Sequence, residues 1–219
     1  MPRRKKAVQR TLVNYIIDES GSMADVADKV RTGFNEYKQE VARNTEGDLL
    51  FTVTKFNTSE TVLHAAVPVK DVPDLDGFTY RPGGMTALYD GIANTIKAVE
   101  RDVDKNTRVI TVIMTDGQDN SSTENTEENV FDLITSKEKE GNWTFVFLGA
   151  DKDAWAQAQR FGIAAGNALV YNKAGTSHAH AGLASATVTA TRSSRMSSDT
   201  FFADSGQSAA DYQTPDEPS

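Results

Sequence analysis

Asp18, Ser20 and Ser22 stand two residues apart where the apolar run NYIIDESGSM breaks off. A carboxylate and two hydroxyls in that pattern have two readings. One is a turn into a helix, with Ser22 capping at Met23 and Asp25 completing the box. The other is a set of hard oxygen donors gathered round a small cation. Two more positions of the same kind follow, Thr86 within RPGGMTALYDG and Asp116 within IMTDGQDN. Taken singly, Thr86 caps a helix at Ala87 and Asp116 is a turn residue before Gly117. Taken together, the five supply two carboxylates and three hydroxyls, without imidazole or thiol. Such donors suit Mg2+ or Mn2+ in an octahedron that keeps some of its waters, and suit Zn2+ poorly. Glycines sit where the chain would have to bend or come close: Gly21, the pair Gly83 and Gly84, and Gly117.

Positioning these groups requires strands that end beside one another. VQRTLVNYIID (8–18) is apolar enough to be buried on both faces, and so is TRVITVIMTDG (107–117). DLLFTVTKFN (48–57), WTFVFLGA (143–150) and NALVYN (167–172) read as further strands, and SETVLHAAVPV (59–69) as an edge strand. Between them run helical stripes: Val26, Val30, Phe34, Tyr37 and Val41, then Leu88, Ile92, Ile96, Val99 and Val103. Asn125 with Glu128 predicts a capping box for a third helix stopped by Gly141. DKDAWAQAQRFG is a short helix, and Ala179, Leu183, Ala186 and Ala190 mark a last one with a small-residue face. Residues 71–86, rich in Pro, Gly and Asp, read as a loop. The alternation predicts an α/β fold: a doubly wound, mostly parallel Rossmann-like sheet of about six strands, one antiparallel edge strand, and helices on both faces. Ligands of such sheets bind beyond the carboxyl ends of the strands, where the strand order reverses.

The 219 residues divide into a basic N-terminal extension (1–7), one domain (8–195) and an acidic, flexible tail (196–219) that lacks Lys and Arg. An excess of 31 acidic over 23 basic residues argues against a nucleic-acid-binding surface, which needs a basic face. With no cysteine there are no disulfides or thiolate metal sites, and no stretch is long and apolar enough to span a membrane. These features predict a cytoplasmic location. His64 lies on the edge strand, and His178 and His180, two apart, do not share a helical face, so no zinc site is expected there.

In this order and spacing, DESGSM, the threonine of GGMTALYD and TDGQDN resemble the von Willebrand factor A domain family, with its metal-ion-dependent adhesion site of the form Asp-x-Ser-x-Ser, Thr, Asp. The similarity covers roughly residues 8–172, extending at most to 192, and the chain looks more like the stand-alone intracellular forms of bacteria and their viruses than like the extracellular members. It implies an intact site in which Ser20 and Ser22 ligate Mg2+ directly and Thr86 does so directly or through water. Asp18 and Asp116 would hold the ion mostly through its waters and by charge. It further implies an open coordination position for a Glu or Asp carboxylate of a protein partner. The adhesion role of extracellular members does not transfer with it.

The rim expected around that position comprises Tyr80, Arg81, Asp119 and Asn120, with Glu19, Gly21, Gly83, Gly84, Asp90 and Gly117 in support. The leading expectation is a Mg2+-dependent protein-interaction module, monomeric or a subunit of a larger complex. Two alternatives stay open. One is a non-catalytic subunit of an ATPase-containing assembly, chelatase-like or stress-related, with a mainly structural metal. The other is a Mg2+-dependent phosphoryl-transfer hydrolase, against which stands the want of a phosphate loop or a convincingly placed base.

Overall fold

Strand β1 (Thr11–Asp18) is buried along its whole length. It pairs in parallel on one side with β2 (Leu49–Phe56) and on the other with β4 (Arg108–Thr115). The computed structural model describes residues 10–45, 47–150, 154–171 and 176–206. The sheet has six strands in the order β3-β2-β1-β4-β5-β6, where β3 is Glu60–Pro68, β5 Trp143–Gly149 and β6 Ala168–Val170. Every pairing is parallel except β2 with β3, which forms the antiparallel edge. The chain moves from β1 to β2 in one direction and later resumes with β4 on the other side of β1. The carboxyl ends of β1 and β4 are therefore the switch point.

The alternation of side chains along β1 feeds two cores. Val13, Tyr15 and Ile17 point to the face covered by α1 (Ala27–Asn44) and the last helix, α5 (Thr176–Arg192). Leu12 and Ile16 point to the face covered by α2 (Leu88–Glu100), α3 (Glu127–Lys139) and α4 (Ala154–Arg160). The helical stripes are the buried faces: Val30, Phe34, Tyr37 and Val41 on α1, and Leu88, Ile92, Ile96 and Val99 on α2. Val103 falls past the end of α2 and is half-buried. The capping box of α3 forms one residue later than Asn125 and Glu128 suggest: Thr126 accepts from the Asn129 backbone, and the Asn129 side chain returns the bond. Asn125 is drawn off because Asp90 holds both its backbone and its side-chain N–H.

The small-residue face of α5 lets it lie close on α1. A Cβ added at Gly33 would stand inside the ring of His180, so only glycine leaves room there. Gly33→Ala is expected to destabilise the protein by about 1–3 kcal/mol, the usual cost of overpacking a core, read as a lower urea midpoint.

Residues 1–7 and 207–219 lie outside the described residues. The segment 196–206, expected to be part of a flexible tail, packs on the domain instead. Phe201 and Phe202 are buried, Asn167 bonds the Phe201 N–H and the Ser198 carbonyl, and Arg195 pairs with Asp204. Two phenylalanines in a polar stretch are enough apolar surface to fasten it.

The expected loop 71–86 is a strap fixed to α1. Lys38 donates to the Val72 carbonyl, Asn35 exchanges two bonds with Leu75, and Arg31 donates to the Tyr80 carbonyl. These three α1 residues are three and four apart and face one way, so the strap climbs one side of the helix toward its N-terminus.

Candidate functional site

Asp18 ends β1 and is fully buried. One carboxylate oxygen accepts the Ser20 N–H at 2.7 Å, which sets the turn after the strand, and the other accepts the Thr115 hydroxyl at 2.6 Å. Burial pushes its carboxyl above the usual range, against the bonds from Thr115 and Ser20, and the nearby Asp116 charge adds to the rise. From that turn the Ser20 and Ser22 hydroxyls stand 3.0 Å apart, and Ser22 donates to Asp116 at 2.6 Å. Ser22 neither caps the first turn of α1 nor stands alone. Gly21–Val26 is a short 3-10 turn without a side-chain cap, and α1 begins at Ala27.

Ser20, Ser22 and Asp116 are thus a linked row of oxygens at the carboxyl ends of β1 and β4. In an octahedron of Mg2+–oxygen bonds near 2.05 Å, neighbouring oxygens lie about 2.9 Å apart. The Ser20–Ser22 pair matches the edge of such a shell in spacing, Asp116 lies at the shorter distance of its hydrogen bond from Ser22, and all three are donors of the right type. The two carboxylates are one buried and one half-exposed, which places negative charge beneath and beside the row.

Thr86 comes to the same mouth by its backbone. Asn120 accepts the Thr86 N–H at 2.8 Å, and the Thr86 carbonyl accepts the N–H groups of Asn120 and Ser121. Gly84 carries φ +81°, and its carbonyl accepts the Gly21 N–H, which draws the two glycine-bearing loops together. Gly83 donates to the Glu19 carbonyl, and Gly117 donates to the Thr115 hydroxyl. Thr86 does not cap α2, whose N-cap is Ala87 without a side-chain bond.

Several residues expected at the rim do other work. Tyr80 is buried, not exposed, and donates its hydroxyl to the Asp18 carbonyl at 2.6 Å. It is an anchor of the strap, held by the carbonyl at the end of β1. Arg81 is exposed at the rim, and its N–H is held by Glu19. Glu19 is itself buried and pairs with Lys55 at 2.9 Å, so it acts as a clamp between strap and strand. Asp119 accepts from Ser122 and from the Tyr89 backbone, and Asn120 is committed to Thr86. Asp90 gathers the backbone N–H groups of Thr123, Glu124 and Asn125. Burial works to raise its carboxyl, but these bonds prevail and hold it below the usual range. Thr115 and Lys55 were not singled out from sequence. Thr115 had a signal, a hydroxyl one residue before Asp116 at a strand end; Lys55 had none.

His178 is exposed and His180 is buried, as their spacing implies. His180 Nδ1 lies 2.9 Å from the Thr176 carbonyl, which can only accept, so Nδ1 carries the proton and Nε2 accepts the Tyr15 hydroxyl at 2.9 Å.

No protein-family model matches the chain, and no curated protein sequence does. Solved structures do. Proximal thread matrix protein 1 from the mussel byssus aligns with a TM-score of 0.58 at 17% identity, over 81% of this chain and 46% of that one. The PilB minor pilin of Streptococcus sanguinis aligns at 0.61 and 12% identity, over 84% of this chain and 63% of that one. The vWF domain of the type V pili tip protein Mfa5 from Porphyromonas gingivalis aligns at 0.62 and 9% identity, over 82% and 95%. The chain spans less than half the length of the mussel protein it matches. These likenesses are of fold alone: a mostly parallel α/β sheet of the Rossmann-like, von Willebrand factor A-like kind.

The intact metal-ion-dependent adhesion site implied by the sequence resemblance is not borne out. Among the described residues no group of three or more His, Cys, Asp or Glu could hold a metal ion. Among the described residues, Asp18 and Asp116 are the carboxylates tied to the row, and Asp18 has both oxygens taken by the chain's own groups. The resemblance holds for the fold and not for that site as a carboxylate cluster. Among the described residues, no helix is long and apolar enough to cross a membrane.

Proposed function

We propose that the chain is a protein-interaction module, a binder rather than an enzyme, that docks a partner carboxylate at the mouth between β1 and β4 with the help of Mg2+ or Mn2+. The observation that carries this reading is the row Ser20, Ser22 and Asp116, whose oxygens lie 3.0 and 2.6 Å apart. Ser20, Ser22 and Asp116 would hold the ion, with Asp18 supplying charge from behind. Bound there, the ion would act as an electrophilic anchor for an incoming carboxylate. The chain's own part is to hold the row rigid, through Asp18 and Thr115 below it, through Glu19 beside it, and through Tyr80 on the strap. A cytoplasmic setting, with a reduced environment that suits a chain free of cysteine, belongs to the same proposal.

The test is a Mn2+ titration followed by electron paramagnetic resonance, which sees the ion directly. Wild type is expected to bind one ion in the millimolar range or tighter, displaced by Mg2+. Asp116→Ala, which removes one of the three holding groups together with its charge, is expected to weaken it about a hundredfold or more, at or beyond the upper end of the range for losing a group that only supports a metal site. No binding at millimolar ion would overturn the reading.

A further inference from the structure

Four large apolar side chains stand out in solvent among the described residues, and two of them, Phe78 and Met85, are on the strap. Phe78 is 94% exposed and Met85 51% exposed. Met85 precedes Thr86 at the mouth. Phe78 lies two residues before Tyr80, whose hydroxyl touches the end of β1.

Exposure of a phenylalanine on a loose loop would mean little, since a mobile chain samples solvent anyway. This loop is fixed on both sides of the residue. Asp76 accepts the N–H groups of Phe78 and Thr79 and the Thr79 hydroxyl, and its carbonyl accepts the Tyr80 N–H. Those bonds, the Thr79 backbone first, hold the Asp76 carboxyl below its usual range and so charged at neutral pH. Leu75 on one side and Tyr80 on the other are buried, each bonded to α1 or β1. Between two anchored neighbours the ring of Phe78 is held away from the core. A rigid aromatic presented this way loses little conformational entropy when a partner covers it.

We propose that Phe78 and Met85 are apolar anchors on the strap that borders the docking mouth, and that the partner is a protein segment bearing an acidic residue beside an aromatic or branched aliphatic cluster. The acidic residue meets the mouth, and the apolar cluster covers Phe78 and Met85. This inference rests on the docking function proposed above. Buried aromatic anchors dominate such interfaces, while polar contacts at the edge set orientation.

The experiment uses a display library of random linear peptides, selected on the full chain in Mg2+, on the full chain in EDTA, and on Phe78→Ser/Met85→Ser in Mg2+. Both side chains are exposed, so the variant should unfold at the wild-type midpoint, which a thermal melt verifies. Wild type in Mg2+ is expected to enrich peptides carrying Asp or Glu within a few positions of apolar residues. The variant should keep the acidic enrichment, lose the apolar one, and bind the best wild-type peptide about tenfold or more weakly. Equal apolar enrichment by variant and wild type overturns the anchors. Acidic enrichment that survives EDTA overturns the cation reading alone and leaves the anchors to be judged by the variant. Failure of wild type to select any sequence overturns both.

Discussion

Asp18→Asn is expected to weaken Mn2+ binding about a hundredfold while leaving the fold at least as stable at neutral pH. Asn matches Asp in shape. Its side-chain oxygen can accept the Ser20 N–H, and its amide can donate to the Thr115 hydroxyl once that hydroxyl rotates, so both bonds at the end of β1 survive. What disappears is a charge held in a fully buried position with a second carboxylate nearby, a combination that already drives the Asp18 carboxyl upward. A neutral isostere removes that penalty from the cation-free protein. The same charge is what the ion would feel from behind the row of Ser20, Ser22 and Asp116. Asp18→Ala provides the contrast. It strips the acceptor from two buried donors, and the unfolding free energy should fall by about 2–4 kcal/mol. A Mn2+ titration and a urea curve on each variant check both halves. Unchanged Mn2+ affinity in Asp18→Asn would show that Asp18 is structural only.

The architecture was legible because burial leaves a strong signal in this chain. The runs ending at Asp18 and Thr115 are short, rich in β-branched residues and apolar without strict alternation, as strands covered on both faces are. The stripes of α1 and α2 follow from the same pressure on helices. The small-residue stripe of α5 was readable too, but not the packing of Gly33 on α1 against the ring of His180, across more than a hundred residues of chain.

Less was legible at the site. Residue types located the row of oxygens, because Ser20, Ser22 and Asp116 sit at strand ends where chemistry is usually found. Residue type alone could not say which polar groups face solvent. Tyr80 in a Pro- and Gly-rich stretch looks exposed, yet the Asp18 carbonyl at the strand end draws its hydroxyl inward. Glu19, inside the motif, turns to Lys55 and the Arg81 N–H rather than toward the mouth. Asn120 and Asp119 serve neighbouring backbone before any partner. In each case a long-range hydrogen bond settles the orientation, and a single sequence does not record such bonds. Phe78 was not singled out from sequence, and its apolar character gives no warning that the Asp76 turn holds it in solvent.

Stability should fall on acidification through the window of His180. Its imidazole is fully buried, and burial pushes its pKa from the ordinary 6.5 down to about 4, with the bond to the Thr176 carbonyl acting the other way. Above the ordinary value the ring is neutral in both folded and unfolded chains, and its contribution to stability is fully present. Between that value and about 4 the unfolded chain takes up a proton that the folded chain refuses, so stability drops with falling pH. A gap of that width corresponds to about 3 kcal/mol at its lower end. Asp18 and Glu138, both raised chiefly by burial, act in the opposite sense on acidification, and His64 adds to the fall from a more exposed position. The measurement that isolates His180 is therefore a difference: urea midpoints from about pH 7 to about pH 4.5 for wild type and for His180→Gln. Glutamine has no titration there, so its curve should lack the steep fall while keeping every other contribution. Parallel curves would mean that His180 stays neutral in both states or is protonated in both. Divergent curves would assign the difference to the proton that the unfolded chain takes up and the buried ring on α5 refuses.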